Sequence, residues 1–180
     1  IYNFRELARE LGLGPGALRS SSDTEVLLHA WERWGPGALG RFVGQWAFAL
    51  HDRDTDRLWI TRDRFGEKPL YYHRSAERIA FASSIEALLE DRSIPRALDR
   101  AALAEYVTHR YVVSPRTVVE GVRKLEGGHL LELGPDGSCA ERPWYALPFR
   151  RHAGARPSRA DAAEQFGALL GGSCARCLES

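Results

Sequence analysis

The segment Arg62–Tyr72, RDRFGEKPLYY, carries the densest set of potentially reactive side chains in the sequence. Guanidinium, carboxylate, ammonium and phenol groups occur together here, and such groups bind anions or transfer protons. Gly66 and Pro69 exclude a regular helix or a central strand at this point. Apolar segments lie on both sides. We therefore expect a shaped turn inside a sheet, with many donors and acceptors to satisfy.

Two interpretations apply to the charged residues that open this segment. Arg62, Asp63 and Arg64 could act in catalysis, or they could form an ion-paired network that holds the turn. We favour the network, because buried charges must be paired and one aspartate between two arginines provides the pairing. Lys68 and Tyr71 could face a ligand, but we expect them to close a sheet edge or border an interface.

Asp23 belongs to the block Ser22–Glu25, which has the spacing of a helix capping box. A desolvated carboxylate can hold an ammonium group through charge-assisted hydrogen bonds. An aspartate in the first turn of a helix also interacts favourably with the positive end of the helix dipole. The residues alone leave both roles open, with capping the simpler one.

The three cysteines do not predict a disulfide framework. Cys174 and Cys177 form a CxxC pair, but zinc would need two more ligands, and only Cys139 and His152 lie anywhere near in sequence. We interpret the pair as incidental helical cysteines. The six histidines show no metal-binding spacing, so we predict no metal ligands; these are His29, His51, His73, His109, His129 and His152.

Composition excludes several classes of protein. The chain has 180 residues, 44% of them hydrophobic and 27% charged, which is typical of a globular protein with one domain or slightly more. A net charge of +1 gives no reason to expect nucleic-acid binding. No apolar run is long enough to span a membrane, and we expect a cytoplasmic protein. The chain lacks methionine and begins at Ile1, so we expect it to be an internal part of a longer protein.

Hydrophobic periodicity predicts helices and short strands in a mixed order. Helices are expected from a capping box at Asn3–Glu6, from Ser22 to a stop at Gly35–Gly37, over Ile85–Glu90, after Asp99 and from Asp161 onward. Strands are expected over Phe42–His51, Leu58–Thr61, Leu70–His73, Ile79–Ala82 and Gly128–Leu133. Turns are expected at Gly14–Gly16, Asp52–Asp56 and Gly134–Gly137. The segment Arg150–Arg159 has the composition of a linker.

This order predicts an α+β fold in which a meander of hairpin-connected antiparallel strands carries the sheet. Trp46, Phe48 and Leu50 alternate with Ala47 and Ala49, so both faces of this strand are apolar. A strand that is apolar on both faces is expected to be covered on both sides.

Seven blocks, in one order and at matching spacing, resemble the glutaminase half of asparagine synthetase, a class II glutamine amidotransferase of the N-terminal nucleophile hydrolase type. They are IYN, SDTEVLLHAW, GQWAFALHD, RDRFGEKPLYY, FASSIEALL, SPRTVVEGVRKLEGGHLLEL and YALPF, which together span Ile1 to Phe149. A weaker resemblance continues to Ser180.

The resemblance implies a four-layer α/β/β/α sandwich whose first strands are missing. It implies a domain over residues 1–149, a linker over 150–160, and a helix over 161–180 leading into an ATP-dependent synthetase domain. Glutamine hydrolysis would supply ammonia for the conversion of aspartate to asparagine, with ATP and magnesium bound by that second half. Asp23 matches the residue that holds the α-ammonium of glutamine. The oligomeric state stays open, with a homodimer as one candidate.

Several family motifs have no counterpart in the sequence. The family's N-terminal cysteine nucleophile, its glutamine-binding arginine and its Asn-Gly oxyanion hole would precede Ile1, and its pyrophosphate loop would follow Ser180. Gly171–Ser173 is only a weak match to that loop. We therefore assign no catalytic or cofactor-binding residue here and expect the isolated chain not to hydrolyse glutamine. Because Glu67 differs from many asparagine enzymes, a related amidotransferase of a secondary-metabolite or polysaccharide cluster stays open, as does a non-catalytic module.

Overall fold

The computed structural model describes residues 1–14, 16–149 and 157–178. The chain divides into two compact units, Ile1–Gly44 with Leu147–Ser180, and Gln45–Ala146. The predicted turn at Pro15 and most of the predicted linker, residues 150–156, lie outside the described residues, as do residues 179 and 180. Within the described ranges, no helix combines the length and the apolar character that a membrane crossing requires.

Five α-helices and seven strands are described. The helices are α1 (Phe4–Glu10), α2 (Asp23–Trp34), α3 (Ile85–Leu89), α4 (Arg100–His109) and α5 (Arg159–Cys177), and a 3-10 helix covers Gly35–Arg41. The strands are β1 (Ala47–Asp52), β2 (Arg57–Arg62), β3 (Tyr71–Arg74), β4 (Ile79–Ala82), β5 (Val122–Lys124), β6 (His129–Leu133) and β7 (Cys139–Pro143).

The first unit is organised by helix α2, which packs against α1 and against the 3-10 helix. Helical spacing predicts a buried face of five residues, of which the first four are buried and the last is only partly buried: Val26, Leu27, Ala30, Trp31 and Trp34. The helix ends at Gly35, which has a positive φ of 55°, and Pro36 then begins the 3-10 helix. The predicted helix and its stop are confirmed.

The predicted capping box at Asn3 is wrong, although α1 begins at the next residue. The Asn3 side chain makes no capping bond. Its amide instead donates to the Arg41 carbonyl at 3.0 Å and accepts from the Val43 N–H at 2.9 Å. A long-range partner thus competes successfully with the local cap, because both groups of one amide are satisfied at once.

The second unit contains two antiparallel sheets. One sheet has the strand order β1-β2-β6-β7 and the other has the order β4-β3-β5. Between them lies a core cluster formed by Ile60, Leu70, Tyr72, Leu125 and Leu131. Ile60 lies directly opposite Leu131 in the β2–β6 register, so two neighbouring strands contribute paired side chains to this core.

The other face of the smaller sheet is covered by α3 and by the chain that precedes β5. Leu88, Ile94, Val119 and Val122 form this second cluster, with Tyr71 packed against it. In the larger sheet, β2 is buried on both faces from Trp59 to Arg62, as an interior strand of a layered fold should be. The expectation of two-sided burial is therefore confirmed for β2.

The same expectation fails for β1, where no residue of the strand is fully buried. The strand also begins at Ala47, five positions after the predicted start at Phe42. Trp46, just before it, accepts the Asp63 N–H through its carbonyl, while its own N–H donates to the Asp63 carboxylate. The Asp63 side chain therefore takes the Trp46 N–H that a backbone carbonyl of β2 would otherwise accept, and the β1–β2 pairing ends there.

The predicted hairpins β1–β2, β3–β4 and β6–β7 are present, with antiparallel pairing in each. The predicted continuous meander is wrong at one connection. Segment Arg62–Tyr72 does not join neighbouring strands, because β2 and β3 belong to different sheets. The segment is the crossover between the two sheets, which accounts for its unusual composition.

Helical spacing predicts Leu103, Tyr106 and Val107 on one apolar face of α4, and this face is exposed in the structure. Leu103, Tyr106 and Val107 are 40%, 49% and 71% exposed, whereas the small Ala102 is the buried residue. Helix α5 begins at Arg159, two positions before the predicted Asp161, and has no buried side chain among its described residues. Helical periodicity predicted that both helices exist, but it did not predict that their large apolar side chains would be exposed.

We expect the substitution Asp99→Ala to destabilise the chain by about 1 kcal/mol, the usual value for a lost N-cap. Asp99 Oδ1 accepts the first free N–H groups of α4, from Ala101 at 2.9 Å and Ala102 at 3.0 Å. Urea denaturation followed by circular dichroism measures the change. Asp99→Asn keeps the capping oxygen and should recover most of the loss, and equal losses in the two variants would contradict the capping role.

Candidate functional site

Asp23 is the first residue of α2, directly after the N-cap. The Ser22 hydroxyl accepts the Thr24 N–H at 3.2 Å, so capping is performed by Ser22 and the Asp23 carboxylate is free for another partner. That partner is the backbone nitrogen of Ile1, which donates to Asp23 Oδ2. The Asp23 side chain is 41% exposed, whereas the Ile1 side chain is 2% exposed. The carboxylate therefore accepts a hydrogen bond from residue 1 and remains partly accessible.

Residues 1–3 are held in place by the segment that follows the 3-10 helix. The Tyr2 N–H donates to the Val43 carbonyl at 2.8 Å, and the Asn3 amide bonds on either side of it. Gly44 completes the arrangement, because a Cβ there would lie 3.0 Å from the Tyr2 nitrogen and its φ is +134°. The position of residue 1 opposite Asp23 is thus fixed by the backbone.

Glu25 positions the loop that leads into α2. Its carboxylate accepts the N–H groups of Arg19 and Ser20 and the Ser20 hydroxyl, at distances from 2.8 to 3.1 Å. The Arg19 backbone bond is the main cause that lowers the pKa of Glu25. The predicted capping box is therefore half correct, because Ser22 caps the helix while Glu25 reaches past it to the preceding loop.

Asp63 is the centre of the crossover segment and is only 1% exposed. Its Oδ1 accepts the N–H groups of Phe65 at 3.1 Å and Glu67 at 2.9 Å. Its Oδ2 accepts those of Trp46 at 3.2 Å and Lys68 at 3.1 Å. The carboxylate therefore closes the turn by binding backbone groups, and it faces no open site.

Arg62 is 2% exposed and also binds backbone groups. Its guanidinium donates to the carbonyl of Leu125 at 2.7 Å and to that of Gly66. Burial lowers the pKa of Arg62, and the charge of Asp63 partly offsets this effect. Arg64 stacks over the Tyr145 ring with its Cζ 5.3 Å from the centroid. Within the described residues, Arg62 and Asp63 form no salt bridge with each other and both bind backbone groups, so the predicted ion-paired network is wrong for this pair.

The remaining reactive residues of this segment do not converge on a ligand site. Lys68 is exposed beside the turn, and Tyr71 packs against the cluster under α3. The interpretation of the segment as a structural element is supported by these contacts.

Helix α5 contains two motifs from the sequence analysis, the weak match to a pyrophosphate loop and the CxxC pair. Gly171–Ser173 lies inside this helix, where backbone N–H groups already bond to preceding carbonyls. A phosphate cradle needs free N–H groups at a loop or a helix start, so these residues do not fit the phosphates of ATP. Cys174 and Cys177 are both exposed residues of the same helix and form no disulfide with each other.

One cluster was missed by the sequence interpretation. Glu126, His129 and Glu141 each place one potential ligand atom within 4.8 Å of the other two, and they are the one such group of at least three acidic, histidine or cysteine residues within the described ranges. The pair Glu126-x-x-His129 was a signal in the sequence. Its third member comes from the hairpin partner strand, which only the β6–β7 register reveals.

Comparison with known proteins places this chain among the amidotransferases. A family model described as "Glutamine amidotransferase domain" matches residues 1–145. Asparagine synthetase [glutamine-hydrolyzing] 1 of Bacillus subtilis (strain 168) is 31% identical over 150 residues, which are 83% of this chain and 24% of that protein. A putative asparagine synthetase [glutamine-hydrolyzing] of Mycobacterium tuberculosis (strain ATCC 25618 / H37Rv) is 38% identical over 152 residues, which are 82% of this chain and 23% of that protein.

Solved structures show the same fold. Glutamine phosphoribosylpyrophosphate amidotransferase from B. subtilis superposes with a TM-score of 0.55 at 19% identity, over 81% of this chain and 27% of that one. This likeness confirms the predicted N-terminal nucleophile hydrolase class of α+β fold. The chain spans about a quarter of the length of the curated relatives it matches. On the match over residues 1–145, the chain belongs to the glutamine amidotransferase domain family.

Proposed function

We propose that residues 1–149 are the glutamine-hydrolysing domain of an amidotransferase of the asparagine synthetase type. In this proposal, residues 150–160 are a linker and 161–180 form a helix that leads toward an ATP-dependent synthetase domain. Glutamine and water give glutamate and ammonia, and the ammonia is used to convert aspartate to asparagine. The names of the relatives support the reaction, and no residue of this chain is assigned to the ATP-dependent step.

The observation that carries the proposal is the partly exposed Asp23 carboxylate, which accepts a hydrogen bond from the Ile1 nitrogen. Glutamine presents an α-ammonium group, which donates the same kind of hydrogen bond. The carboxylate is 41% exposed, so a ligand from solvent can reach it. Ser22 already caps the helix, which leaves Asp23 without a necessary capping role. We therefore assign to Asp23 the binding of the glutamine α-ammonium.

The position of Asp23 at the start of α2 strengthens the carboxylate as a ligand-binding group. The N–H groups of the first turn carry the positive end of the helix dipole, which interacts favourably with a negative charge there. An ionised carboxylate binds an ammonium through hydrogen bonds that are about twice as strong as neutral ones. Asp23 would orient the substrate by one end, while the amide at the other end reacts.

We expect Asp23→Asn, in the protein as its gene encodes it, to raise the KM for glutamine by about tenfold or more. The change removes the carboxylate charge that would hold the α-ammonium of glutamine, a loss of roughly 1.4 kcal/mol or more of binding free energy. The measurement is steady-state release of glutamate from glutamine. Synthesis driven by added ammonium salt instead of glutamine should be unchanged, because that route does not need the glutamine site.

Asp161→Asn is the matched control, since it also removes one carboxylate charge from the first turn of a helix. It should leave the KM for glutamine unchanged. Asp23→Asn with an unaltered KM would contradict the role of Asp23. Absence of glutamine hydrolysis in the unsubstituted protein would instead contradict the proposed function, and hydrolysis without asparagine formation would assign the ammonia to another acceptor.

A further inference from the structure

The cluster Glu126–His129–Glu141 lies at one edge of the core between the two sheets. His129 begins β6, and Glu141 on β7 lies opposite Leu131, two residues further along β6, so both side chains share the face that carries buried Leu131. Glu126 belongs to the turn before β6, where its carbonyl accepts the His129 N–H at 3.2 Å. Three different backbone positions thus direct potential metal ligands to one point.

The spacing of the donor atoms suits a metal ion. His129 Nδ1 and Glu141 Oε1 are 3.1 Å apart, and ligands that bind one zinc ion at ordinary bond lengths are themselves about 3.0–3.5 Å apart. The Glu126 oxygen lies within 4.8 Å of both atoms, so a small side-chain movement brings it to the same separation. Imidazole nitrogen with carboxylate oxygen is a donor set that zinc and similar divalent ions accept.

The charges of the cluster favour a cation. Two carboxylates lie close together, and the imidazole contacts only one of them, Glu141. Within the part of the chain that the structure describes, the Glu126 carboxylate has neither a hydrogen bond nor an ion pair. Like charges at this distance repel each other, and a divalent ion between them would remove the repulsion.

Neighbouring groups hold two of the three ligands in place. The Tyr72 hydroxyl donates to Glu141 Oε2 at 2.8 Å, which leaves the other carboxylate oxygen directed toward His129. The Thr61 hydroxyl donates to the His129 carbonyl at 2.9 Å and fixes the start of β6. Metal ligands are commonly oriented by such outer hydrogen bonds.

A cavity of about 300 Å³ borders one member of the cluster, Glu141, and its lining also includes Tyr72, Arg74 and Arg123. The His129 and Glu141 side chains are each 24% exposed, so the cluster is partly enclosed and still accessible from solvent. Three protein ligands leave coordination positions on a metal ion that solvent water can fill.

We propose that Glu126, His129 and Glu141 form a binding site for one divalent metal ion of the zinc type. The imidazole Nδ1 and one oxygen from each carboxylate bind the ion, and water completes the coordination. The bound ion joins the turn before β6 to the β6–β7 hairpin. This proposal uses none of the residues assigned to glutamine and does not depend on the proposed glutamine hydrolysis.

The test is calorimetric titration of the chelator-treated 180-residue chain with zinc chloride, in a Cys174→Ser, Cys177→Ser background that removes the exposed thiols of α5. We expect saturable binding of one ion per chain. Glu126→Gln should weaken binding by at least about tenfold, and His129→Gln should do the same. Glu126→Gln is the decisive variant, because this side chain has no partner within the described residues and its replacement should leave the fold intact.

Asp136→Asn, at the tip of the β6–β7 hairpin, is the matched control and should bind zinc as the parent does. Circular dichroism establishes that each variant is folded. Absence of saturable binding overturns the proposal, and so does zinc affinity that Glu126→Gln and His129→Gln leave unchanged. A cobalt-substituted sample gives a second readout, since its visible spectrum should lack the strong sulfur-to-metal band that cysteine ligands produce.

Discussion

Asp63→Asn is expected to destabilise the chain by about 3 kcal/mol or more. The carboxylate is buried and accepts four backbone N–H groups, two on each oxygen. In asparagine, whichever way the amide is turned, its NH₂ group must face two of these donors. Each buried polar group left without a partner costs about 1–3 kcal/mol. Urea denaturation followed by tryptophan fluorescence measures the loss.

A second contribution comes from Arg62, whose buried guanidinium has the Asp63 charge nearby. Removing that charge leaves a buried cation supported by carbonyl groups alone, which adds to the cost. Asp136→Asn again serves as the matched control, because that exposed carboxylate accepts one backbone N–H, from Ser138 at 3.0 Å. We expect it to change the free energy of unfolding by less than about 0.5 kcal/mol. Equal effects at the two positions would show that Asp63 is not the centre of the crossover.

The sequence predicted elements whose signals are local. Ser22 and Asp99 were predicted at helix starts, and each accepts an N–H of the helix that follows it. The turns at 52–56 and 134–137 were also predicted, because glycine and aspartate determine such turns without distant partners. These features depend on a few consecutive residues, so one sequence is sufficient to locate them.

The errors occur where a distant partner competes with a local one. Asn3 has the spacing of a cap but bonds to Arg41 and Val43 instead. Asp63 has two arginine neighbours in sequence but binds backbone N–H groups. In both cases the side chain satisfies two or more groups at once through the tertiary fold, which a single neighbour could not offer.

The candidate sites show the same division. Asp23 was found through its block of sequence, and its helix start could be derived from capping chemistry alone. The cluster Glu126–His129–Glu141 could not be predicted, because Glu141 joins the other two only through the antiparallel β6–β7 register. Shifting that register by one residue would move Glu141 to the opposite face of the sheet. Site residues that lie within one turn can thus be predicted from the sequence, whereas those brought together by strand pairing cannot.

Gly127→Ala is expected to lower the free energy of unfolding by about 3 kcal/mol, although it adds a single methyl group. A Cβ at Gly127 would lie 2.7 Å from the Gly66 nitrogen and from the Phe65 carbonyl carbon. These are backbone atoms of the crossover turn, which Asp63 and Arg62 hold rigid, so they cannot move aside as a flexible side chain would. The Gly128 N–H donates to the Asp63 carbonyl at 2.8 Å, so separating the two turns would also break this bond.

The matched control is Gly171→Ala, the same substitution inside α5, where a Cβ would meet nothing within 4 Å. Alanine favours a helix over glycine by up to about 1 kcal/mol, so this variant should gain helix content and lose no stability. Urea denaturation of the two variants beside the parent measures the difference. If Gly127→Ala unfolds at the parent's urea concentration, the two turns do not pack against each other. If it is destabilised while Gly171→Ala is not, the absence of a side chain at Gly127 is what allows the crossover between the sheets to close.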